Sequence, residues 1–352
     1  MKLALVIGTR PQIVKASAIV PELKRQNVDF QFINTGQHYD YEMNKIFFDE
    51  FGMRDSINLS VGSGSYCQQI VNIMLKLEQV FNKQKFDLTM CLGDTNSTIA
   101  ETLVSFACSI PLVHVEAGAR SYDMTMPEEV NRRLTDHASA LLFAVSKNCA
   151  KNLLKENIPE EQIFLSGDPM YDVLLKHLKA IEKCGILEDL RLLEREYGVL
   201  TMHRPSNLTF EKFDSLFEAI KKSRTKVVFP IHPRTKKALE TFHLKVPRNL
   251  LITNPLGYYE MMKLVSKAQF VMTDSGGLQK EAFWLRIPCL TLRQNTEWVE
   301  TVRLGANELV ENFNMLPEKI KECSSRDVKY KINPFGDGHA GKKIAEVVKS
   351  YA

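Results

Sequence analysis

The chain has no apolar run long enough to cross a bilayer, no CxxC pair, no long lysine and arginine tail and no internal repeat. Each absence removes a class of function. The apolar start, Met1 to Ile7, stops at Gly8, too short for a signal-peptide core or a membrane span, so a cytoplasmic location without a membrane partner is expected. Seven cysteines, Cys67, Cys91, Cys108, Cys149, Cys184, Cys289 and Cys323, are scattered and odd in number. They read as reduced thiols rather than a disulfide framework or a zinc site. With 46 Lys and Arg against 42 Asp and Glu, the net charge of +4 gives no reason to expect a nucleic-acid partner. Gly62-Ser63-Gly64 sits in a polar loop without a third glycine, so a nicotinamide fingerprint is missing too. Neither a redox cofactor nor a metal is expected.

What is present is ordinary globular composition, 44% hydrophobic and 25% charged, over 352 residues, which exceeds one hydrophobic core and predicts two domains. Short apolar runs at Leu3 to Ile7, Phe30 to Asn34, Leu88 to Leu92, Leu112 to Val115 and Ala140 to Phe143 alternate with amphipathic stretches. The stretches are Pro11 to Arg25, Tyr41 to Phe51, Cys67 to Lys83, Ser97 to Cys108 and Glu128 to Ser139. That rhythm predicts a parallel sheet with crossover helices. It restarts at Gly198 to Thr201, Val227 to Ile231, Leu250 to Thr253, Phe270 to Thr273 and Cys289 to Leu292. The fold class is therefore α/β, with two doubly wound Rossmann-like domains, residues 1–170 and residues 171–335. Residues 336–352 form a tail whose helix is expected to pack back on the N-terminal domain.

Ligands bind at the carboxyl edge of such sheets, and the charged motifs gather there. Gly8-Thr9-Arg10-Pro11 follows a strand and opens a helix, an arrangement for an anion at free N–H groups, with Arg10 and Lys15 adding charge. Thr273-Asp274-Ser275-Gly276-Gly277 repeats it in the second half, Ser275 as the cap and the glycines exposing N–H groups to a diphosphate. Glu281, two turns into that helix, is placed to take ribose hydroxyls. Asp94, Glu116 and Glu128 lie at strand ends or helix starts, where capping competes with catalysis for any one of them. Crowded with Arg10, Lys15 and Arg132, they read as acid/base groups whose pKa values would be shifted by like charge. His203-Arg204 and His232 end strands of the second domain, each either a structural imidazole or a hydrogen-bond donor to phosphate. His114, inside an apolar strand, reads as structural. Tyr258, Tyr259 and Trp284 suit either a core or a uracil platform.

Together, Gly8-Thr9-Arg10-Pro11 with Lys15, Gln37-His38, Gly93-Asp94-Thr95, His114 to Gly118, Pro127-Glu128-Glu129 with Asn131-Arg132, His203-Arg204 and Thr273 to Gly277 resemble the non-hydrolysing UDP-N-acetylglucosamine 2-epimerase family. The resemblance runs nearly end to end. It implies the GT-B fold with a ligand cleft between the domains, a homodimer, and supply of N-acetylmannosamine-type sugars for surface polysaccharides. It also implies a reaction without cofactor, in which UDP is eliminated across C1–C2 to a 2-acetamidoglucal and re-added with protonation from the other face. By the matched positions, Asp94, Glu116 and Glu128 form the acid/base set, joined by His203. Arg10, Lys15, Arg132, Arg204 and His232 surround phosphates and sugar, and Ser275, Gly276, Gly277 and Glu281 hold diphosphate and ribose.

Two departures leave the substrate open. Familiar members carry glutamate where this chain has Gln12, and Thr-Glu-Arg-Pro-Glu where it has Thr296-Glu297-Trp298-Val299-Glu300. Both, with Tyr122 to Met126, look like the branch acting on UDP-2,3-diacetamido-2,3-dideoxy-D-glucuronate, so that sugar stands beside UDP-N-acetylglucosamine. Tyr39, where arginine usually follows Gln-His, puts allosteric use of a second UDP-sugar in doubt. The rivals are a hydrolysing epimerase, a GT-B glycosyltransferase, and a UDP-sugar sensor without catalysis, against which the three acids argue.

Overall fold

Strands that are apolar along their whole length need helices on both faces, and that requirement shapes both halves of the chain. The computed structural model describes residues 1–37 and 56–351; the expected helix Tyr41 to Phe51, His38 and Tyr39 fall outside the described residues. The chain divides into two compact units, Met1–Lys176 with Asn333–Ala352, and His177–Ile332.

In the first unit the strands are β1 (Lys2–Ile7), β2 (Asp29–Asn34), β3 (Ser56–Asn58), β4 (Leu88–Leu92), β5 (Leu112–Ala117), β6 (Leu141–Ala144) and β7 (Ile163–Leu165). They form one sheet in the order β3-β2-β1-β4-β5-β6-β7, every pairing parallel. Helix α1 (Arg10–Arg25) carries the chain from β1 outward to β2, whereas α2 (Tyr66–Lys83) brings it back past β1 to β4. The strand order thus reverses between β1 and β4, and an open α/β sheet has its ligand crevice at that switch point, beyond the carboxyl ends of the strands. Gly8 and Gly93 stand there.

Local sequence sets the helix starts at this edge. Thr9 is extended at the N-cap of α1, Pro11 fills the first turn, and Gln12 Oε1 reaches back to the Thr9 N–H at 3.1 Å. Thr95 caps α3 (Asn96–Ala107) by accepting from Thr98 N. Helix α4 (Pro127–Ala138) has proline, then Glu128 and Glu129, in its first turn, the end where the dipole favours acids.

The second unit repeats the plan with β8 (Tyr197–Thr201), β9 (Lys226–Pro230), β10 (Leu250–Thr253), β11 (Phe270–Thr273), β12 (Cys289–Thr291) and β13 (Asn307–Leu309). The order β10-β9-β8-β11-β12-β13 is again all parallel and reverses between β8 and β11. Thr201 and Thr273 mark that switch point, their hydroxyls 2.6 Å apart. Helices α5 (Phe210–Ser223) and α6 (Pro233–Phe242) bury Phe213, Phe217 and Leu239 against Phe229 and Phe270 of the sheet. Helix α7 (Gly276–Trp284) follows β11, and the last helix, α8 (Ala340–Tyr351), packs on α1 in the first unit. No helix among the described residues is long and apolar enough to cross a membrane.

Candidate active site

β1, β4 and β5 are neighbours, so Gly8, Gly93 and Glu116 come to adjacent strand ends. From the second turn of α1, Lys15 Nζ donates to Glu116 Oε1 at 2.7 Å, and both side chains are nearly enclosed. Gly93 has φ +72°, and a Cβ on it would stand 3.1 Å from Lys15 Nζ and 3.4 Å from Glu116 Oε1, so the glycine leaves room for the pair. Glu116 itself has φ +77°, where a side chain is strained, at the irregularity in the β5–β6 register between Val115 and Ala117. Strain retained at a carboxylate on the ligand edge is a mark of function.

Arg132 of α4 bridges two acids, with Nη1 2.7 Å from Glu129 Oε2 and Nη2 bound to Asp94 Oδ2. Asn131 Nδ2 donates to the Asp94 carbonyl at 3.0 Å, and Asn131 Oδ1 accepts from the Tyr66 hydroxyl at 2.6 Å. Burial, helped by the nearby charge of Glu128, raises the Tyr66 pKa against the opposing pull of that hydrogen bond. Glu128 is half-buried at the start of α4. Its neighbour Glu129 is fully enclosed and accepts from Ser121 N and Oγ at 2.8 and 2.9 Å. Burial would raise the Glu129 pKa, but Ser121 and the two arginines outweigh it and hold it below the ordinary value. Two of the three acids are thus paired with cations, Glu116 with Lys15 and Asp94 with Arg132.

Beneath these groups lies a buried ion network that sequence reading missed. His114 Nδ1 is 2.6 Å from Asp136 Oδ1, and its Nε2 is 2.8 Å from the Gly93 carbonyl, which only accepts. Asp136 Oδ2 also takes Arg120 Nη1 at 2.7 Å and the Gly118 N–H at 3.1 Å, and Arg120 forks onto Glu156. Burial alone would raise the Asp136 pKa; His114 and Arg120 reverse it to below the ordinary value. One carboxylate thus holds both the residue before Asp94 and the loop just after Glu116. Gly118, at φ +77°, could not carry a side chain, since its Cβ would come within 2.2 Å of the Cys149 carbonyl.

Gln12 is not a group facing a ligand. It is 1% exposed; Oε1 accepts from Gly8 N at 2.8 Å and Thr9 N at 3.1 Å, while Nε2 donates to the Leu92 carbonyl at 2.8 Å. The amide ties the ends of β1 and β4 together. Gln12→Leu is expected to lower stability by about 1–3 kcal/mol through unsatisfied N–H groups. Thermal melts measure that cost, and the kcat/KM ratio between the two candidate sugars should stay constant.

In the second unit, Asp274 follows β11 and organises the loop after β8. It accepts from His203 N, Arg204 N and Asn207 Nδ2 at 3.0, 2.9 and 3.2 Å, and His203 Nδ1 lies 2.8 Å away. Burial pushes the Asp274 pKa up, but the His203 charge, its hydrogen bond and the backbone donors bring it to about 2. Arg204 Nε returns to the Asp274 carbonyl at 3.1 Å. The His203 and His232 rings are 6.2 Å apart, and His232 caps α6 by accepting from Arg234 N at 3.2 Å. Ser275 Oγ is the N-cap of α7, accepting from Leu278 N, with Gly276 and Gly277 opening the helix and Glu281 in its second turn. Tyr258 and Trp284 are buried, and Tyr259 Oη is 3.0 Å from His177 Nδ1.

Trp298, the other suspected specificity residue, is also internal. Lys280 Nζ sits 3.8 Å above its ring, and a Cβ on Gly276 would be 3.2 Å from its Nε1. The segment is pinned by Thr296 Oγ1 donating to Gln279 Oε1 at 2.6 Å and by the buried Arg293–Glu297 pair at 2.9 Å. Among the described residues, no group of three His, Cys, Asp or Glu is arranged to hold a metal.

Two parallel α/β units, each with a glycine-bearing turn and charged side chains at its carboxyl edge, define a two-domain α/β enzyme of the GT-B type. Residues 21–349 match the profile described as UDP-N-acetylglucosamine 2-epimerase. A UDP-N-acetylglucosamine 2-epimerase homolog of Methanococcus maripaludis is 44% identical over 99% of this chain and 100% of its own. The UDP-2,3-diacetamido-2,3-dideoxy-D-glucuronate 2-epimerase of Pseudomonas aeruginosa is 35% identical over 98% of this chain and 99% of its own. The crystal structure of Methanocaldococcus jannaschii UDP-GlcNAc 2-epimerase in complex with UDP-GlcNAc and UDP superposes with a TM-score of 0.95 at 40% identity, covering both chains completely. The chain belongs to the UDP-N-acetylglucosamine 2-epimerase family.

Proposed function

We propose that the chain interconverts UDP-N-acetylglucosamine and UDP-N-acetylmannosamine without a redox cofactor or a metal. The observation that carries this reading is the presence of two ion pairs, Lys15–Glu116 and Arg132–Asp94, at the switch point of the first sheet. A proton on C2 of the sugar has no adjacent carbonyl to stabilise a carbanion. Its removal becomes feasible when the C1–O bond breaks and its electron pair leaves with UDP, giving the 2-acetamidoglucal. Re-addition of UDP at C1 with a proton delivered to the opposite face of C2 completes the inversion. Such a path needs two acid/base positions and firm anchoring of a departing diphosphate.

Asp94, Glu116 and Glu128 supply the acid/base groups in this reading, with His203 at the phosphate. Arg10, Lys15, Arg132, Arg204 and His232 hold sugar and phosphates, and Ser275, Gly276, Gly277 and Glu281 take diphosphate and ribose. Ser275→Ala and Glu281→Ala are each expected to weaken UDP binding by about 1–3 kcal/mol, measured by calorimetry. Ser275→Ala should also cost about 1 kcal/mol of stability through the lost helix cap.

Proton NMR of UDP-N-acetylglucosamine with the enzyme in deuterium oxide tests the reaction. Deuterium at C2 in both epimers, with UDP remaining attached, is the expected result; free N-acetylmannosamine and UDP would mean a hydrolysing enzyme. Side-by-side rates on UDP-2,3-diacetamido-2,3-dideoxy-D-glucuronate test the substrate. Gln12 and Trp298 are both internal, and relatives named for UDP-N-acetylglucosamine reach 40 to 44% identity against 35% for the other branch. Higher kcat/KM for UDP-N-acetylglucosamine is therefore expected, and the reverse order would move the chain to the uronate branch.

A cytoplasmic homodimer fits the same reading. Leu75 on α2, Leu103 and Phe106 on α3 and Leu134 on α4 are exposed on three helices packed side by side, with Phe106 81% exposed. Such an apolar face suits a second copy. Phe106→Asp is expected to shift the mass seen by light scattering from dimer toward monomer.

A further inference from the structure

The net charge of +4 conceals a strong local imbalance in the second unit. Residues 221–248 contain nine lysines and arginines and a single acid, Glu240, so this stretch carries +8 and the rest of the chain sums to −4. Six of the nine lie around the two connections that lead into β9 and β10: Lys221 and Lys222 end α5, Arg224, Lys245 and Arg248 lie in the turns, and Lys226 opens β9. Asn249 Nδ2 fixes those turns side by side, donating to the Ile220 carbonyl at 2.6 Å and the Thr225 carbonyl at 2.8 Å. Among the described residues, Lys221 has one carboxylate partner, Glu218 at 3.1 Å, and no ion pair involves Lys222, Arg224, Lys245 or Arg248. All of these but Lys226 are exposed.

Clustered cations repel one another, so a surface that keeps them without interleaved acids is suited to an anionic partner. The two turns are at the amino edge of the parallel sheet, whereas Thr201 and Thr273 end their strands at the opposite edge, so a partner here leaves the nucleotide residues uncovered. Val246, 39% exposed, stands between Lys245 and Arg248. Lys226 Nζ is 3.5 Å from the Arg191 carbonyl, which brings a third turn alongside; it exposes Leu193 (66%) together with two acids, Glu194, which is paired with Lys267, and Glu196. Exposed apolar side chains among cations match the headgroup region of a bilayer. No Phe, Tyr or Trp ring is exposed on these turns to stack a nucleobase, the neighbouring Phe242 being packed on Phe213, and the one exposed ring is the imidazole of His243.

We propose that this edge adsorbs to an anionic phospholipid surface. The expectation of no membrane partner rested on the lack of a spanning or signal segment, and peripheral adsorption needs neither. Co-sedimentation with vesicles of phosphatidylcholine alone, or with equal phosphatidylglycerol, tests it without relying on catalysis. The wild-type chain should sediment with the anionic vesicles at low salt, be released at high salt and ignore the neutral ones. The combined change Lys222→Glu, Arg224→Glu, Lys245→Glu and Arg248→Glu should weaken partitioning at least about 100-fold, with melting temperature and turnover unchanged. Should that variant fold poorly, Lys222→Ala with Lys245→Ala should weaken it in the same direction by about 10-fold. Equal binding by wild type and variants, no binding to anionic vesicles at low salt, or tighter binding to single-stranded RNA than to vesicles would each overturn the proposal.

Discussion

Glu116→Gln is expected to lower turnover by at least about 100-fold while UDP affinity changes little, because a positioned acid or base contributes roughly that factor. The amide keeps the size of the side chain but loses the charge that faces Lys15 Nζ at 2.7 Å and any ability to exchange a proton. Asp94→Asn should lose a similar factor, while the Arg132–Glu129 ion pair is kept. Glu128→Gln should behave likewise, although Glu128, half-buried at the start of α4, has the weakest structural constraint of the three. Steady-state rates on UDP-N-acetylglucosamine, paired with calorimetric titration by UDP, separate the effects. A large rise in KM with unchanged kcat would assign these acids to binding, and near-normal rates in all three variants would return them to capping roles.

Asp136→Ala is expected to be the most destabilising single change in the first unit, costing about 3–5 kcal/mol, the scale for removing one partner of a buried ion pair. It would leave His114 and Arg120 enclosed without their shared carboxylate and release the Gly118 N–H. Denaturant unfolding measures the loss, and a variant within about 1 kcal/mol of wild type would show that water replaces the carboxylate at this site. The acid limb of stability follows the same chemistry. Asp136, Glu129, Glu156 and Asp274 all have folded pKa values below their ordinary ones. Their contribution is complete above the unfolded carboxylate pKa of about 4 and disappears as pH falls through the folded values, toward about 2 for Asp274. Asp136→Ala should remove part of that acid dependence.

Most of the architecture could be read without coordinates because fully buried parallel strands are apolar throughout. Leu88–Leu92, Leu250–Thr253 and Phe270–Thr273 lie where their apolar runs place them; the helices expected from Pro11, Cys67, Ser97 and Glu128 each start within one residue of those positions, and Ser275 caps α7. The edge strands Ser56–Asn58, Ile163–Leu165 and Asn307–Leu309 escaped notice, since three residues are too few to establish a period. Site residues were legible where a glycine, a proline or a strand end announced them, as at Gly8-Thr9-Arg10-Pro11 and Thr273 to Gly277. Asp136 and Arg120 carried no such signal, and the motif around Asp274 did not show that its carboxylate would organise the loop after β8. An acid in the last turn of a helix, or an aspartate after a strand, reads as solvated until its partners from other strands are in place.

The order of apolar runs, turn glycines and caps determined by itself that this protein is a pair of doubly wound sheets with charged residues at their carboxyl edges, because period and cap chemistry are local properties of the chain. Which charges meet was decided only by tertiary structure. Lys15 and Glu116 are 101 residues apart and Thr201 and Thr273 are 72 apart, and parallel register alone makes them neighbours. The same register buried Gln12 and Trp298, two residues whose chemistry looked like specificity, in hydrogen bonds and packing that hold the strand ends and the nucleotide turn in place. Burial of a polar group depends on what the rest of the chain brings to it, and no local pattern records that.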